Sequence, residues 1–382
     1  MKAFTFYNPT RIEFGKGKEE KIGLYISEYG ISRVLIVYGS DRIKKNGLFN
    51  TVTKSLVDNG IKYESLGGVQ SNPLLSKVYE GIEIAKSKEI EAILAIGGGS
   101  VLDSVKAIAA GAKYYGDVWD FFTYKAVPNQ ALKIFDIMTL AATGSEMNNY
   151  AVITKDKTKE KFSLAGAATF PTVSVINPEL QATVTKEYLA YSSADIFAHC
   201  LDMYLSATYL PEYIAGYVEN ILKTVIRTTE ILLEDAGNYN ARSEFAWAAT
   251  QALNLTTFCG IENNRFDTHF IEHTLSAEYN IAHGAGLSII VPAWMKWQKN
   301  NLPERFERFA TNLFGVKGAN EGIEALKHWY IKIGAPVSLS EGNIPEKDIP
   351  LLVNKLIQVA RMWGATSIYT EEMIKTVLEN AR

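Results

Sequence analysis

Short apolar, β-branched runs alternate with helical patterns along the first half of the chain. The run Arg33-Val-Leu-Ile-Val-Tyr-Gly39 reads as a buried strand and Leu48 to Asn59 as a helix. Leu75 to Lys88 is helical, Ala92 to Ile96 is a second strand, and a helix follows from Val101 to Ala112. Ile134 to Thr139 and Thr172 to Ile176 add two more strands. This alternation predicts a parallel sheet covered by helices. After Asn177-Pro178 the character changes. From Lys186 onward strand patterns vanish, and helical segments follow over 194–207, 214–234, 241–259, 268–278, 351–362 and 371–380. A boundary near residue 183 is expected, with an α/β domain over 1–183 and an all-α domain over 184–382.

Composition is consistent with that division. A chain of 382 residues exceeds the comfortable size of one hydrophobic core. Hydrophobic content of 47% and charged content of 21% are those of an ordinary globular protein. A net charge of −3 gives no electrostatic case for nucleic acid or an anionic membrane. The two cysteines, Cys200 and Cys259, exclude a disulfide framework and a Cys-rich zinc module. The first residues lack the apolar core of a signal peptide, and stretches such as Leu287 to Val291 are too short to span a bilayer. A cytoplasmic location is expected. No internal repeat or low-complexity tract is present.

The chemistry concentrates in the second half. His269, His273 and His283 fall within fifteen residues, and His199 sits four residues after Asp195. Composition alone would place roughly 0.2 histidines in such a window. Imidazoles with one carboxylate are what a divalent transition metal requires. Asp195 and His199, at i and i+4, leave one helical face and can converge on one ion. His269 and His273 share this spacing, although both need not be ligands. On one straight helix His283 would lie about 21 Å from His269, so a shared metal requires the chain to break and return. Asn280, Gly284 and Gly286 are residues that permit such a break. An isolated Asp-x-x-x-His pair is ordinarily an ion pair; the joint occurrence is what points to a metal. His328 has no such company and reads as structural or surface.

A second signal lies in Ile96-Gly97-Gly98-Gly99-Ser100-Val-Leu-Asp103, where a buried strand runs into three glycines and a helix. Ser100 is placed to cap that helix, with Asp103 at capping-box spacing. Such a loop can hold a phosphate on free N–H groups at a helix start, or be only a tight turn. It matches neither G-x-G-x-x-G nor a Gly-Lys-Ser phosphate loop. The hydroxyl-rich run Thr139-Leu-Ala-Ala-Thr143-Gly-Ser145-Glu146 follows another strand.

Together with Asn8-Pro-Thr-Arg-Ile-Glu-Phe-Gly-Lys-Gly17, these motifs resemble, end to end, the iron-dependent (group III) alcohol dehydrogenase family. The likeness is strongest to its butanol dehydrogenase and NADPH-dependent aldehyde reductase branch. The resemblance implies a Rossmann-like dinucleotide-binding N-terminal domain and an all-α metal-binding C-terminal domain, the dehydroquinate synthase-like fold. It implies that Asp195, His199, His269 and His283 bind Fe²⁺ or Zn²⁺, and that His273 is a catalytic non-ligand beside nicotinamide and substrate. Gly97, Gly98, Gly99 and Ser100 would hold the pyrophosphate, with Asp103, Thr139, Thr143 and Lys161 lining the rest of the cofactor site. A homodimer acting on a small alcohol or aldehyde such as butanol or butanal is implied as well.

Many NAD-using relatives carry an acidic residue after the first strand, where this chain has Gly39 and Ser40. A carboxylate there would repel a 2′-phosphate. Its absence, with Arg42, Lys44 and Lys45 nearby, favours NADP(H) over NAD(H), and Asp41 opposes this. Tyr150, Phe258 and Phe266 read either as an apolar substrate pocket or as core. Competing readings are a glycerol dehydrogenase-like or dehydroquinate synthase-like enzyme, a metal-dependent hydrolase, and a non-catalytic metal- or nucleotide-binding protein. The hydrolase would leave the α/β half and Gly97–Ser100 unexplained.

Overall fold

The computed structural model describes all 382 residues. Contacts gather them into two compact units. One comprises Phe6–Val184 and Asp235–Leu255, the other Met1–Thr5, Thr185–Glu234 and Thr256–Arg382.

The first unit is α/β. Its elements run β1 (Arg11–Phe14), α1 (Ile22–Ser27), β2 (Arg33–Tyr38), α2 (Arg42–Lys45), α3 (Leu48–Asp58), β3 (Lys62–Leu66) and α4 (Leu75–Ser87). There follow β4 (Ala92–Gly97), α5 (Gly99–Ala112), α6 (Trp119–Phe122), β5 (Lys133–Met138), β6 (Tyr150–Lys155), β7 (Glu160–Ala165) and β8 (Val173–Ile176). Six strands pair in parallel in the order β1-β8-β5-β4-β2-β3, and β6 and β7 form a separate antiparallel hairpin. The interior strands are near-continuous apolar runs because both faces are covered, and Val34, Ile36, Leu94, Ile96, Phe135 and Val175 join one core. The edge strands β1 and β3 left no such trace in the sequence. Every residue of β3 except Leu66 is exposed, since an edge strand need not bury both faces.

Register decides where the loops emerge. Tyr38 pairs with Ile96, and Gly97 with Met138. The carboxyl ends of β2, β4 and β5 are therefore level, and the loops at Gly39, Gly98 and Thr139 leave the same edge of the sheet. In open parallel sheets that edge is where ligands bind.

The second unit is helical: α7 (Lys186–Ser206) and α8 (Glu212–Glu234) come first, and the next helix, α9 (Tyr239–Ala252), belongs to the α/β unit by its contacts. Helix α9 stops seven residues short of the 241–259 expectation, and Leu255 takes a left-handed φ of 74°. Then come α10 (Asp267–Tyr279), α11 (His283–Gln298), α12 (Pro303–Phe309), α13 (Ala319–Ile333), α14 (Ile349–Met362) and α15 (Glu371–Asn380). Helix α11 has no hydrophobic period to read because it is buried all round, with 13 of its 16 residues inside. It packs on α7, α10 and α15. No helix is long and apolar enough to cross a membrane.

Candidate functional site

In the helical unit the site begins on α7, whose start is fixed by Thr185 accepting a hydrogen bond from the Tyr188 N–H. One turn apart on its buried face, Asp195 and His199 are 3% and 5% exposed. Helix α10 brings His269 against them, its ring stacked on His199 with centroids 4.8 Å apart and planes 14° from parallel. Helix α10 ends at Asn280, which adopts a left-handed φ of 53°, and the chain turns back so that α11 opens with His283. The expected break is thus made by Asn280 alone. Gly284 and Gly286 do not take part in it. They lie inside α11, where a Cβ on Gly284 would sit 2.0 Å from the Tyr191 carbonyl oxygen of α7.

Three imidazoles converge on one carboxylate oxygen. The Nε2 atoms of His199, His269 and His283 lie 3.4, 3.8 and 3.7 Å from Asp195 Oδ1. These separations exceed the 2.7–3.2 Å typical of hydrogen bonds. Asp195 Oδ1 and His269 Nε2 are buried without any hydrogen-bond partner. A tetrahedral site with bonds near 2.1 Å has edges of roughly 3.4 Å, so each of these carboxylate–imidazole separations is near that of two ligands on one centre, with Asp195, His199 and His269 forming the tightest group. The donor set therefore fits a divalent metal.

Electrostatics point the same way. Burial pushes His199 down to about 3 against the pull of Asp195, with His269 and His283 adding to the fall. Burial also opposes charge on His269, yet the hydrogen bond to Asp202 and the nearby negative charge of Asp195 outweigh it and lift that ring to about 9. Asp195 is held well below the usual carboxylate range. Burial alone would raise it, but the three histidines reverse the shift. Asp195, Asp202 and Glu272 are all buried carboxylates. Carboxylates in a low-dielectric interior call for positive or hydrogen-bonding partners around them.

Asp202 and Glu272 were not singled out from the sequence. Asp202 Oδ2 lies 2.7 Å from His269 Nδ1, and Glu272 Oε2 meets His283 Nδ1. A signal existed: Asp202 is two turns from Asp195 on α7, and Glu272 is three residues after His269. His273 is half-buried, its ring centroid 6.2 Å from that of His269 and 5.6 Å from that of His283. Its ligating atom clusters with those of Glu272 and His283 instead of with Asp195 and His199. Phe266 meets the His269 ring edge-on at 5.4 Å, and its own centroid lies 6.0 Å from that of Phe258, the two rings tilted. His328 is exposed on α13.

The α/β unit holds the other residues. Gly97 ends β4, and Gly98 is the N-cap of α5, so Ser100 sits in the first turn and does not cap the helix as expected. No side chain caps this terminus. It is thereby left open for an anion on its N–H groups. A Cβ on Gly99 would fall 2.5 Å from Thr143 Oγ1, so only glycine lets the hydroxyl loop lie this close. Thr143 Oγ1 accepts from the Ser145 N–H at 3.2 Å, and the Thr139 N–H donates to the Gly97 carbonyl at 2.9 Å.

Asp103 does not make the capping box its spacing suggests. Its two oxygens accept from Ser145 Oγ at 2.8 Å and from the Val152 N–H at 3.0 Å, which ties α5 to the hydroxyl loop and β6. Beside it, Lys106 is fully buried. Its ammonium faces Ser145 O, Ser145 Oγ, Asn148 Oδ1 and Tyr150 O, at 2.7, 2.8, 3.1 and 2.8 Å. Burial lowers Lys106 to about 8, against the pull of Asp103, Asp136 and Glu146. Lys161 on β7 is buried and donates to Asn72 Oδ1 at 2.9 Å. Gly39 and Ser40 follow β2. Nearby, Lys44 pairs with Asp41 at 2.9 Å, Arg42 reaches the Thr183 carbonyl, and Lys45 is exposed.

Known proteins resemble this chain along its whole length. The model of iron-containing alcohol dehydrogenase matches residues 9–178, and that of the Fe-containing alcohol dehydrogenase family, C-terminal, matches residues 189–382. The probable NADH-dependent butanol dehydrogenase 1 of Bacillus subtilis (strain 168) is 37% identical over 98% of this chain and 98% of its own. The NADPH-dependent aldehyde reductase YqhD of Escherichia coli is 30% identical over 93% of each. The crystal structure of NADH-dependent butanol dehydrogenase A from Thermotoga maritima aligns with a TM-score of 0.97 at 44% identity, covering 100% of this chain and 99% of that one.

Proposed function

This chain belongs to the iron-containing alcohol dehydrogenase family and is an NAD(P)H-dependent alcohol/aldehyde oxidoreductase, and on that footing we propose that Asp195, His199, His269 and His283 hold its divalent metal. The observation that carries this is the meeting of three imidazole Nε2 atoms around Asp195 Oδ1, two of the four donor atoms being buried without a partner. One carboxylate with three imidazoles suits Fe²⁺ and Zn²⁺ alike.

The substrate reading is a short primary alcohol or its aldehyde, such as butanol and butanal. When bound, the metal would supply Lewis-acid polarisation of the substrate oxygen, and the nicotinamide would give or take the hydride. The chain's residues position and protect that chemistry. Phe266, beside His269, and Phe258, against Phe266, offer an apolar wall for the alkyl chain. His273, outside the convergence on Asp195, carries the proton between the substrate oxygen and solvent. In the α/β unit, Gly97–Ser100 at the uncapped start of α5 receive the pyrophosphate, and Thr139, Thr143 and Lys161 line the remainder of the cofactor site. Asp103 serves that site indirectly, by holding the hydroxyl loop.

NADP(H) is the preferred nucleotide in this reading. The relatives named above use NADH in some cases and NADPH in others, so the argument rests on this chain's own residues. No carboxylate follows β2 at Gly39-Ser40, Lys44 offsets Asp41, and Arg42 and Lys45 add positive charge. A cytoplasmic homodimer completes the reading. The glycerol dehydrogenase and hydrolase alternatives are not favoured beside butanol dehydrogenase relatives that match along both halves.

The test is purified enzyme with NADPH and butanal, followed by loss of reduced-nicotinamide absorbance, with metal content measured in parallel. Turnover that requires one bound metal per chain is expected. Turnover undiminished after complete metal removal would refute the ligand assignment.

A further inference from the structure

We infer that Asp202 and Glu272 are positioning residues for the metal, each buried on one helix and locking the histidine that opens or follows on the next. This rests on the ligand set proposed above and goes beyond it. Asp202 lies on α7 and holds His269 of α10, whereas Glu272 lies on α10 and holds His283 of α11. His199, on the same helix as Asp195, has no such lock, and its Nδ1 is buried without a partner.

The chemistry follows from proton placement. A carboxylate can only accept from an imidazole nitrogen, so the proton of His269 is held on Nδ1 facing Asp202. Its Nε2 lone pair is then aimed toward Asp195. Glu272 does the same for His283. Both carboxylates are themselves pinned. Asp202 also accepts from the Thr268 N–H at 2.9 Å and Thr268 Oγ1 at 2.8 Å, so it caps α10 from a neighbouring helix while it sets the ring. Phe266, the N-cap of α10, supplies no side-chain bond there. Glu272 also accepts from Ser276 Oγ, and it is packed against Gly286 of α11. A Cβ at position 286 would fall 2.6 Å from Glu272 Oε1 and 2.8 Å from its Cγ. Gly286 is therefore glycine so that Glu272 can reach His283.

Three substitutions test this without touching a proposed ligand. In Asp202→Asn and Glu272→Gln an NH₂ replaces one oxygen where only donors approach, so the paired ring loses its proton acceptor or must flip its tautomer. Gly286→Ala should act through Glu272 alone. The measurement is Zn²⁺ affinity of the full-length protein by competition with a chromophoric chelator. It is paired with imidazole nitrogen NMR of the zinc-free protein at a pH above 9, where the His269 ring is neutral, to read the tautomers. Each variant is expected to bind Zn²⁺ roughly 10- to 100-fold more weakly than wild type, Asp202→Asn most of all. The proton should leave Nδ1 of His269 in Asp202→Asn, and of His283 in Glu272→Gln and Gly286→Ala. A wild-type protein that binds no stoichiometric Zn²⁺ would remove the metal reading itself. A wild type that binds it, with all variants binding as tightly and keeping their tautomers, would overturn this inference alone. Should Asp202→Asn fail to fold because α10 loses its cap, Glu272→Gln and Gly286→Ala decide the matter.

Discussion

Gly284→Ala probes the whole proposed metal site through one added methyl group. Gly284 follows His283 on α11 and faces Tyr191 on α7, four residues before Asp195. The added Cβ would stand 2.0 Å from the Tyr191 carbonyl oxygen and 2.5 Å from its carbon. Real contacts of this kind do not fall below 3.0 Å, so the two backbones must part by about 1 Å. Both groups are main chain, and no side chain can swing aside to absorb the change. Overpacking of this sort destabilises by about 1–3 kcal/mol. At about 2–4 °C per kcal/mol, the melting temperature should fall by about 2–12 °C. The site should suffer more than the fold. His283 moves with α11 while Asp195 and His199 stay with α7, and a site of this kind tolerates only about 0.5 Å. Metal per chain, measured by mass spectrometry on purified protein, should drop well below wild type. Thermal melting of the metal-stripped protein gives the stability term separately. If Gly284→Ala melts with wild type and retains full metal, then α7 and α11 do not approach as described and the ligand geometry is wrong.

Three further outcomes follow from the same structure. His269→Ala should lose metal and turnover together, whereas His273→Ala should keep its metal and slow the proton-dependent step; metal loss in His273→Ala would make that residue a ligand. Lys106→Met leaves four interior acceptors without their donor and removes the positive charge near Asp103, and should destabilise by about 3–5 kcal/mol in urea titrations. The Lys106 folded value of about 8 lies below its ordinary 10.5, so between those pH values the unfolded chain keeps a proton that the folded chain has lost. Its contribution to stability is thus smallest below pH 8 and rises towards 10.5; parallel pH profiles for wild type and Lys106→Met would contradict this. Gly39→Asp should shift preference towards NADH, at some strain because a Cβ there would lie 3.3 Å from the Val69 carbonyl. Unchanged selectivity would place nucleotide discrimination elsewhere.

The chain's local patterns were sufficient to mark most of its elements and to gather the metal-type residues. The i,i+4 spacing of Asp195 and His199 and the break at Asn280 are properties of a few consecutive residues, legible because a helix presents a fixed face. Buried strands β2, β4 and β5 were legible as short continuous apolar runs, because both their faces are covered. The signal fades in an edge strand and in a helix buried all round: β3 is polar, and α11 is apolar on every side and so has no period.

Only the tertiary structure could decide which distant groups meet. It alone placed His283 beside Asp195, set Asp202 and Glu272 behind the histidines, and turned Asp103 inward, with Lys106 beside it, to hold the hydroxyl loop instead of completing a capping box. It also gave Gly284 and Gly286 their reason, which is close approach of neighbouring groups and not a turn. Periodicity along a chain reports which face of an element is buried. What that face touches depends on how helices cross and how strands register, and those distances are written in no single segment.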